Sequence, residues 1–125
     1  SIKQAGELLK RGVSIVVFPE GTRSPDGEIH EFKSTLFVLP IRTRIPVVPV
    51  LIEGTFQALR SGSVLLKHHP VKVTFLDPVS PDCFSDKDRA LYAEEVRRRL
   101  IESSQNPINA EKTMSSCKSP EFSHN

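Results

Sequence analysis

Apolar positions change their spacing along this chain, and each change predicts an element. Ile2, Ala5 and Leu9 recur at intervals of three and four, Leu8 widens the stripe, and Lys3, Glu7, Lys10 and Arg11 lie mostly off it. That period predicts a short amphipathic helix over 2–11, with Gly12 as its stop and Lys10 and Arg11 in its last turn. Val13 to Phe18 is apolar and largely β-branched apart from Ser14, which predicts a buried strand. A helix feeding a strand in this way predicts α/β packing. The strand ends abruptly. Pro19 has no amide for a ladder, and Gly21 opens backbone angles closed to other residues.

Further on, Ser24-Pro25-Asp26-Gly27 is a strong turn signal. Phe32, Thr35, Leu36, Leu39 and Thr43 fit one helical face, so a helix is expected over roughly 33–43, although Leu36-Phe37-Val38-Leu39 also reads as a strand and Pro40 argues against an undisturbed helix. Ile45 to Ile52 reads as extended, because Pro46, Pro49 and the β-branched residues disfavour helix. Residues 55–70 read as loop, and Val71 to Leu76 alternates as a strand does. Ser85 with Asp88 forms a capping-box pattern before a helix whose face is Ala93, Val96 and Leu100. Arg97, Arg98 and Arg99 read as a solvated face, with lipid headgroups as the sharper alternative. The fold class expected is α/β, a mixed sheet layered with helices and truncated at the N-terminus. Residues 1–104 form the domain part, and 105–125, rich in Ser, Asn, Lys and Glu, read as a disordered tail.

Composition narrows the classes. The 125 residues fit one domain, with 38% hydrophobic and 26% charged residues. A net charge of +2 is too mild to argue for nucleic acid. The two cysteines, Cys83 and Cys117, make neither a disulfide framework nor a metal spacing and read as unpaired thiols. No run approaches the ~20 apolar residues of a membrane span, and no signal peptide is visible. A serine at position 1 opening onto a helical pattern reads as a piece cut from a longer chain. His68-His69 gives no metal site, since adjacent histidines point apart on a strand and no carboxylate is spaced to help.

The chemistry concentrates at Phe18-Pro19-Glu20-Gly21-Thr22-Arg23-Ser24. A phosphate wants a forked guanidinium, backbone amides and hydroxyl donors. Arg23, the amides around Gly21, Thr22 and Ser24 supply all three at the end of a strand, where open α/β sheets bind ligands. Glu20 has two readings: it orients Arg23, or it accepts a hydrogen bond from a ligand hydroxyl. Lys33 is the best supplementary cation. The bland alternative for the whole stretch is a polar turn closing a strand. The Gly-Lys-Ser/Thr ending of a nucleotide phosphate loop is absent.

Phe18 to Ser24 resembles the phosphate-binding motif of the glycerolipid acyltransferases, the family that includes 1-acylglycerol-3-phosphate acyltransferase. Ile45-Pro46-Val47-Val48-Pro49-Val50 is similar to that family's proline-containing strand at the expected distance, and Glu31-Phe32-Lys33-Ser34 resembles its Phe-Lys segment. Ser34-Thr35 stand where family members usually have a glycine. The resemblance implies an acyltransferase of phospholipid biosynthesis. It moves an acyl group from an acyl carrier protein or coenzyme A thioester to lysophosphatidic acid, with no other cofactor, at the cytoplasmic face of a membrane. It implies substrate-binding roles for Glu20, Gly21, Thr22, Arg23, Ser24 and Lys33. The family's catalytic pair is a histidine with an aspartate five positions later, the histidine acting as general base. The residues five after His30, His68 and His69 are Thr35, Val73 and Thr74, and the chain ends at Asn125, one residue after His124. The sequence therefore carries no catalytic pair, reads as the C-terminal portion of the domain, and is expected to be inactive alone. The reading from another class is a non-catalytic module that binds anions or lipid headgroups.

Overall fold

A computed structural model of the chain describes residues 1–58 and 70–106. Helix α1 (Ile2–Lys10) forms where the apolar period predicts it. It closes in a Schellman motif: the Gly12 amide donates to the Leu9 carbonyl at 3.0 Å and the Val13 amide to the Leu8 carbonyl at 3.1 Å. That closure requires φ of 84° at Gly12, which a residue without Cβ adopts freely.

The strand expected over Val13–Phe18 does not form among the described residues. The segment has no regular secondary structure and joins no ladder, and Val16 is 82% and Phe18 73% exposed. An apolar run supplies side chains to bury, but a strand also needs a neighbour for its amides and carbonyls. No described segment pairs with this one.

Between 33 and 43 the helix forms in two parts. A 3₁₀ turn (Ser34–Phe37) runs into helix α2 (Val38–Thr43). Pro40 lies in the first turn of α2, where a missing amide and a fixed φ are tolerated. Arg44 ends α2 in a left-handed conformation, φ 58°. α1 packs beside α2, and the bare face of Gly6 admits Leu39 and Thr43 there.

Strand β1 (Val50–Glu53) pairs antiparallel with β2 (Lys72–Phe75), in the register Val50–Phe75, Leu51–Thr74, Ile52–Val73 and Glu53–Lys72. A bridge between Val47 and Val79 extends the pairing. Pro46 and Pro49 lie outside β1 on either side of the Val47 bridge, at positions that donate no ladder bond, and the Pro49 carbonyl accepts the Leu76 amide at 2.9 Å. Between the strands, part of the expected loop is a single helical turn, α3 (Thr55–Ala58). Residues 59–69, with His68 and His69, lie outside the described residues. The α/β class is thus expressed as helices plus a two-stranded sheet, and the described pairing is antiparallel.

The last helix, α4 (Arg89–Gln105), follows a 3₁₀ turn at Asp86–Asp88. The Ser85 amide and hydroxyl both donate to Asp88 Oδ2, at 3.0 and 2.9 Å, as the Ser-x-x-Asp spacing predicts. These bonds hold the Asp88 carboxyl below its usual range. α4 lays Tyr92, Ala93, Val96 and Leu100 onto Phe37, Leu51 and Val79 to make the core. Tyr92 is wholly buried, and its hydroxyl donates to the Val79 carbonyl at 2.7 Å.

The three arginines do not share a solvated face. Successive helical residues are turned by about 100°, so three in a row must point in three directions. Arg99 is buried and donates from Nε to Glu95 at 2.9 Å. Arg98 is exposed between Glu95 and Glu102. Arg97 leaves the helix toward the loop at 29–30.

Cys83, expected as an unpaired thiol, is disulfide-bonded, which cysteine count and spacing alone do not decide. Cys117 and residues 107–125 of the expected tail lie outside the described residues, while Gln105 ends α4 and Asn106 follows it. Among the described residues no helix is long and apolar enough to cross a membrane.

Candidate anion-binding turn

The turn is built from backbone inward. The Gly21 amide donates to the Phe18 carbonyl at 3.1 Å, closing a tight reversal, and Gly21 takes φ 73° to complete it. The Lys33 amide then donates to the Pro19 carbonyl at 2.9 Å, tying the returning segment to the turn. This bond brings the Lys33 side chain across Gly21. A Cβ at Gly21 would stand 2.6 Å from Lys33 Nζ and 2.7 Å from its Cε. The ammonium therefore rests against bare backbone, and glycine is required there twice over, for its φ and for that approach.

Among the described residues Glu20 makes no ion pair with Arg23. Its Oε2 accepts the His30 amide at 3.2 Å and stitches the turn to the returning loop. Ser24 is similarly engaged. Its hydroxyl has the Glu28 carbonyl at 2.8 Å and Asp26 Oδ1 at 3.0 Å as acceptors, and it takes the Gly27 amide at 2.9 Å. Asp26 Oδ1 also accepts the Glu28 amide at 3.0 Å and lies 2.8 Å from His30 Nε2. The Glu28 amide first, and then His30, pull the Asp26 carboxyl down to about 2, so it stays ionised through ordinary acidity.

Thr22, Arg23 and Lys33 are left over. All three are exposed, and among the described residues their side chains make no hydrogen bond or ion pair. Two cations and a hydroxyl thus face solvent from one turn whose other polar groups are occupied in shaping it. Of the six residues singled out in the sequence, Thr22, Arg23 and Lys33 keep their side-chain polar groups unengaged among the described residues, while the Gly21 amide is bound to Phe18. Glu20 and Ser24 are disposed to hold the loop. Among the described residues no cluster of three or more His, Cys, Asp or Glu could hold a metal ion.

Sequence reasoning missed Arg97. Its Nε donates to the His30 carbonyl at 3.0 Å and its Nη2 to the Ile29 carbonyl at 3.1 Å, while Nη1 meets Glu94 Oε1 at 3.0 Å. No local signal marks it, because the carbonyls it holds are 67 and 68 residues away.

Known proteins resemble this chain in sequence and in fold. Residues 1–53 match the family model described as Acyltransferase. The chain is 31% identical over 112 residues to 1-acyl-sn-glycerol-3-phosphate acyltransferase of Cocos nucifera, covering 86% of this chain and 36% of that protein. It is 37% identical over 103 residues to a chloroplastic enzyme of the same name from Brassica napus, covering 82% of this chain and 28% of that one. The crystal structure of the 1-acyl-sn-glycerophosphate (LPA) acyltransferase PlsC from Thermotoga maritima superposes with a TM-score of 0.71 at 38% identity, covering 83% of this chain and 44% of that one. The chain spans less than half the length of each of these relatives. It belongs to the glycerolipid acyltransferase family and carries part of that family's domain.

Proposed function

We propose that this chain supplies the acceptor phosphate site of a 1-acylglycerol-3-phosphate acyltransferase. The observation that carries the reading is the Lys33 ammonium resting on Gly21, two residues from the unpaired Arg23. A phosphate monoester set on this turn meets a forked guanidinium, a point cation and the Thr22 hydroxyl together. The phosphate then fixes the lysophosphatidic acid so that its free hydroxyl faces the acyl thioester, of acyl carrier protein or coenzyme A. A general base for that hydroxyl comes from a histidine–aspartate pair outside these residues. The chain alone is therefore inactive, needs no cofactor beyond the acyl donor, and works at the cytoplasmic face of a membrane, where acceptor and product reside.

Titration of the chain with glycerol 3-phosphate tests this, comparing wild type with Arg23→Ala and Lys33→Ala. A hydrogen bond to a charged group contributes about 1.5–3 kcal/mol, so each variant is expected to bind roughly 10- to 150-fold more weakly. Equal affinity in all three proteins would remove the phosphate from this turn.

A further inference from the structure

Arg97 sits on α4, yet its guanidinium ends on the loop that completes the anion-binding turn. Two of its nitrogens hold successive carbonyls, His30 at 3.0 Å and Ile29 at 3.1 Å, and the third is fixed by Glu94 at 3.0 Å. His30 is gripped from the other side as well, since its amide donates to Glu20 at 3.2 Å. Three residues on, the Lys33 amide is bound to the Pro19 carbonyl. Phe32 is buried in the core and Ile29 packs against it, so residues 29–33 form a short, taut connection. A displacement at 29–30 is passed to Lys33 because no slack intervenes.

We infer that Arg97 is a positioning residue for the anion site: by clamping the Ile29 and His30 carbonyls to α4 it places the Lys33 ammonium over Gly21. The inference rests on reading the turn as a phosphate site. Arg97 is not itself a ligand group, because its donors are directed at two carbonyls and its charge is paired with Glu94. The role needs a fork. A lysine ammonium is a single point and cannot span both carbonyls and the carboxylate in that geometry.

The test uses the full chain and three measurements: affinity for glycerol 3-phosphate, thermal stability, and amide hydrogen exchange at His30 and Lys33. Arg97→Met is expected to weaken binding about tenfold, as loss of one charge-assisted contact does, and to speed exchange at both amides. Arg97→Lys recovers only part of each loss, and makes the same comparison if Arg97→Met does not fold. The deciding variant is the double substitution Arg97→Met with Lys33→Ala. If Arg97 acts through Lys33, the double variant binds no worse than Lys33→Ala alone. Wild-type affinity and exchange in Arg97→Met would overturn the inference, and so would additive losses in the double variant. Failure of the phosphate reading shows itself separately, as unchanged binding in Arg23→Ala. In that case accelerated exchange at His30 and Lys33 in Arg97→Met still upholds the clamp, and unchanged exchange overturns it.

Discussion

Tyr92→Ala is expected to cost about 3–5 kcal/mol of stability, read as a lowered midpoint in urea unfolding followed by circular dichroism. The Tyr92 ring stacks on Phe84 at 4.6 Å and meets Phe37 edge-on at 5.5 Å between centroids. Phe37 in turn stacks on Phe32 at 6.3 Å. Removing the ring opens a void at the junction of α4, the 3₁₀ turn before α2 and the Val47–Val79 bridge. A small domain has only about 5–15 kcal/mol in all, so the variant stands near its unfolding threshold. Tyr92→Phe separates ring from hydroxyl. It loses one buried hydrogen bond, while the Val79 carbonyl keeps the Val47 amide at 3.1 Å, and the expected loss is about 1 kcal/mol. A wild-type midpoint in Tyr92→Ala would show that the aromatic cluster does not hold these elements together. Burial also pushes the phenol from 10.0 up to about 12. The unfolded chain then releases this proton first as pH rises. The stabilisation is complete below pH 10.0 and is lost as pH climbs through about 12.

Gly21→Ala is expected to damage both the fold and the site. Left-handed backbone costs an L-residue about 1–2 kcal/mol, and Gly21 has φ 73°. The new Cβ would also stand 2.6 Å from Lys33 Nζ. The lysine tip is flexible and swings aside, so the clash itself costs little. The consequence is that the ammonium leaves the turn, and a charge-assisted contact of about 1.5–3 kcal/mol goes with it. Calorimetric titration should show binding of glycerol 3-phosphate weakened at least as much as by Lys33→Ala, with a lower unfolding midpoint in addition. Undiminished binding would mean that Lys33 does not serve the anion from its place over Gly21.

Much of this architecture is legible residue by residue. The three-and-four spacing of Ile2, Ala5 and Leu9 with Gly12 behind it specifies α1 and its closure, because both are settled within a dozen neighbouring residues. The alternation at Val71–Leu76 gives β2, and Ser85 with Asp88 marks the start of the last helical stretch. The same locality explains what could not be read. Val13–Phe18 has a strand's composition, but whether it is paired depends on what lies beside it in space. Glu20 and Ser24 have the chemistry of ligand groups, and their engagement with His30 and Glu28 is decided by how the loop folds back. Arg97 looks like one charge in a run of three until α4 is laid against residues 29–30. That the polar groups gather in one turn is legible in the residue types, whereas the division between groups that shape the turn and groups that face outward is not.

The outer face of the two-stranded sheet has a thermodynamic consequence. Val50, Ile52, Val73 and Phe75 lie opposite one another across the ladder with their side chains in water, and Val16 and Phe18 are exposed as well. Unfolding newly hydrates only the part of these groups that the fold covers. Heat capacity rises on unfolding in proportion to newly wetted apolar area, about 1.2–1.5 kcal/mol/K for an ordinary domain of a hundred residues. For this chain, scanning calorimetry should return an increment below that range, together with a shallow urea slope and a broad transition.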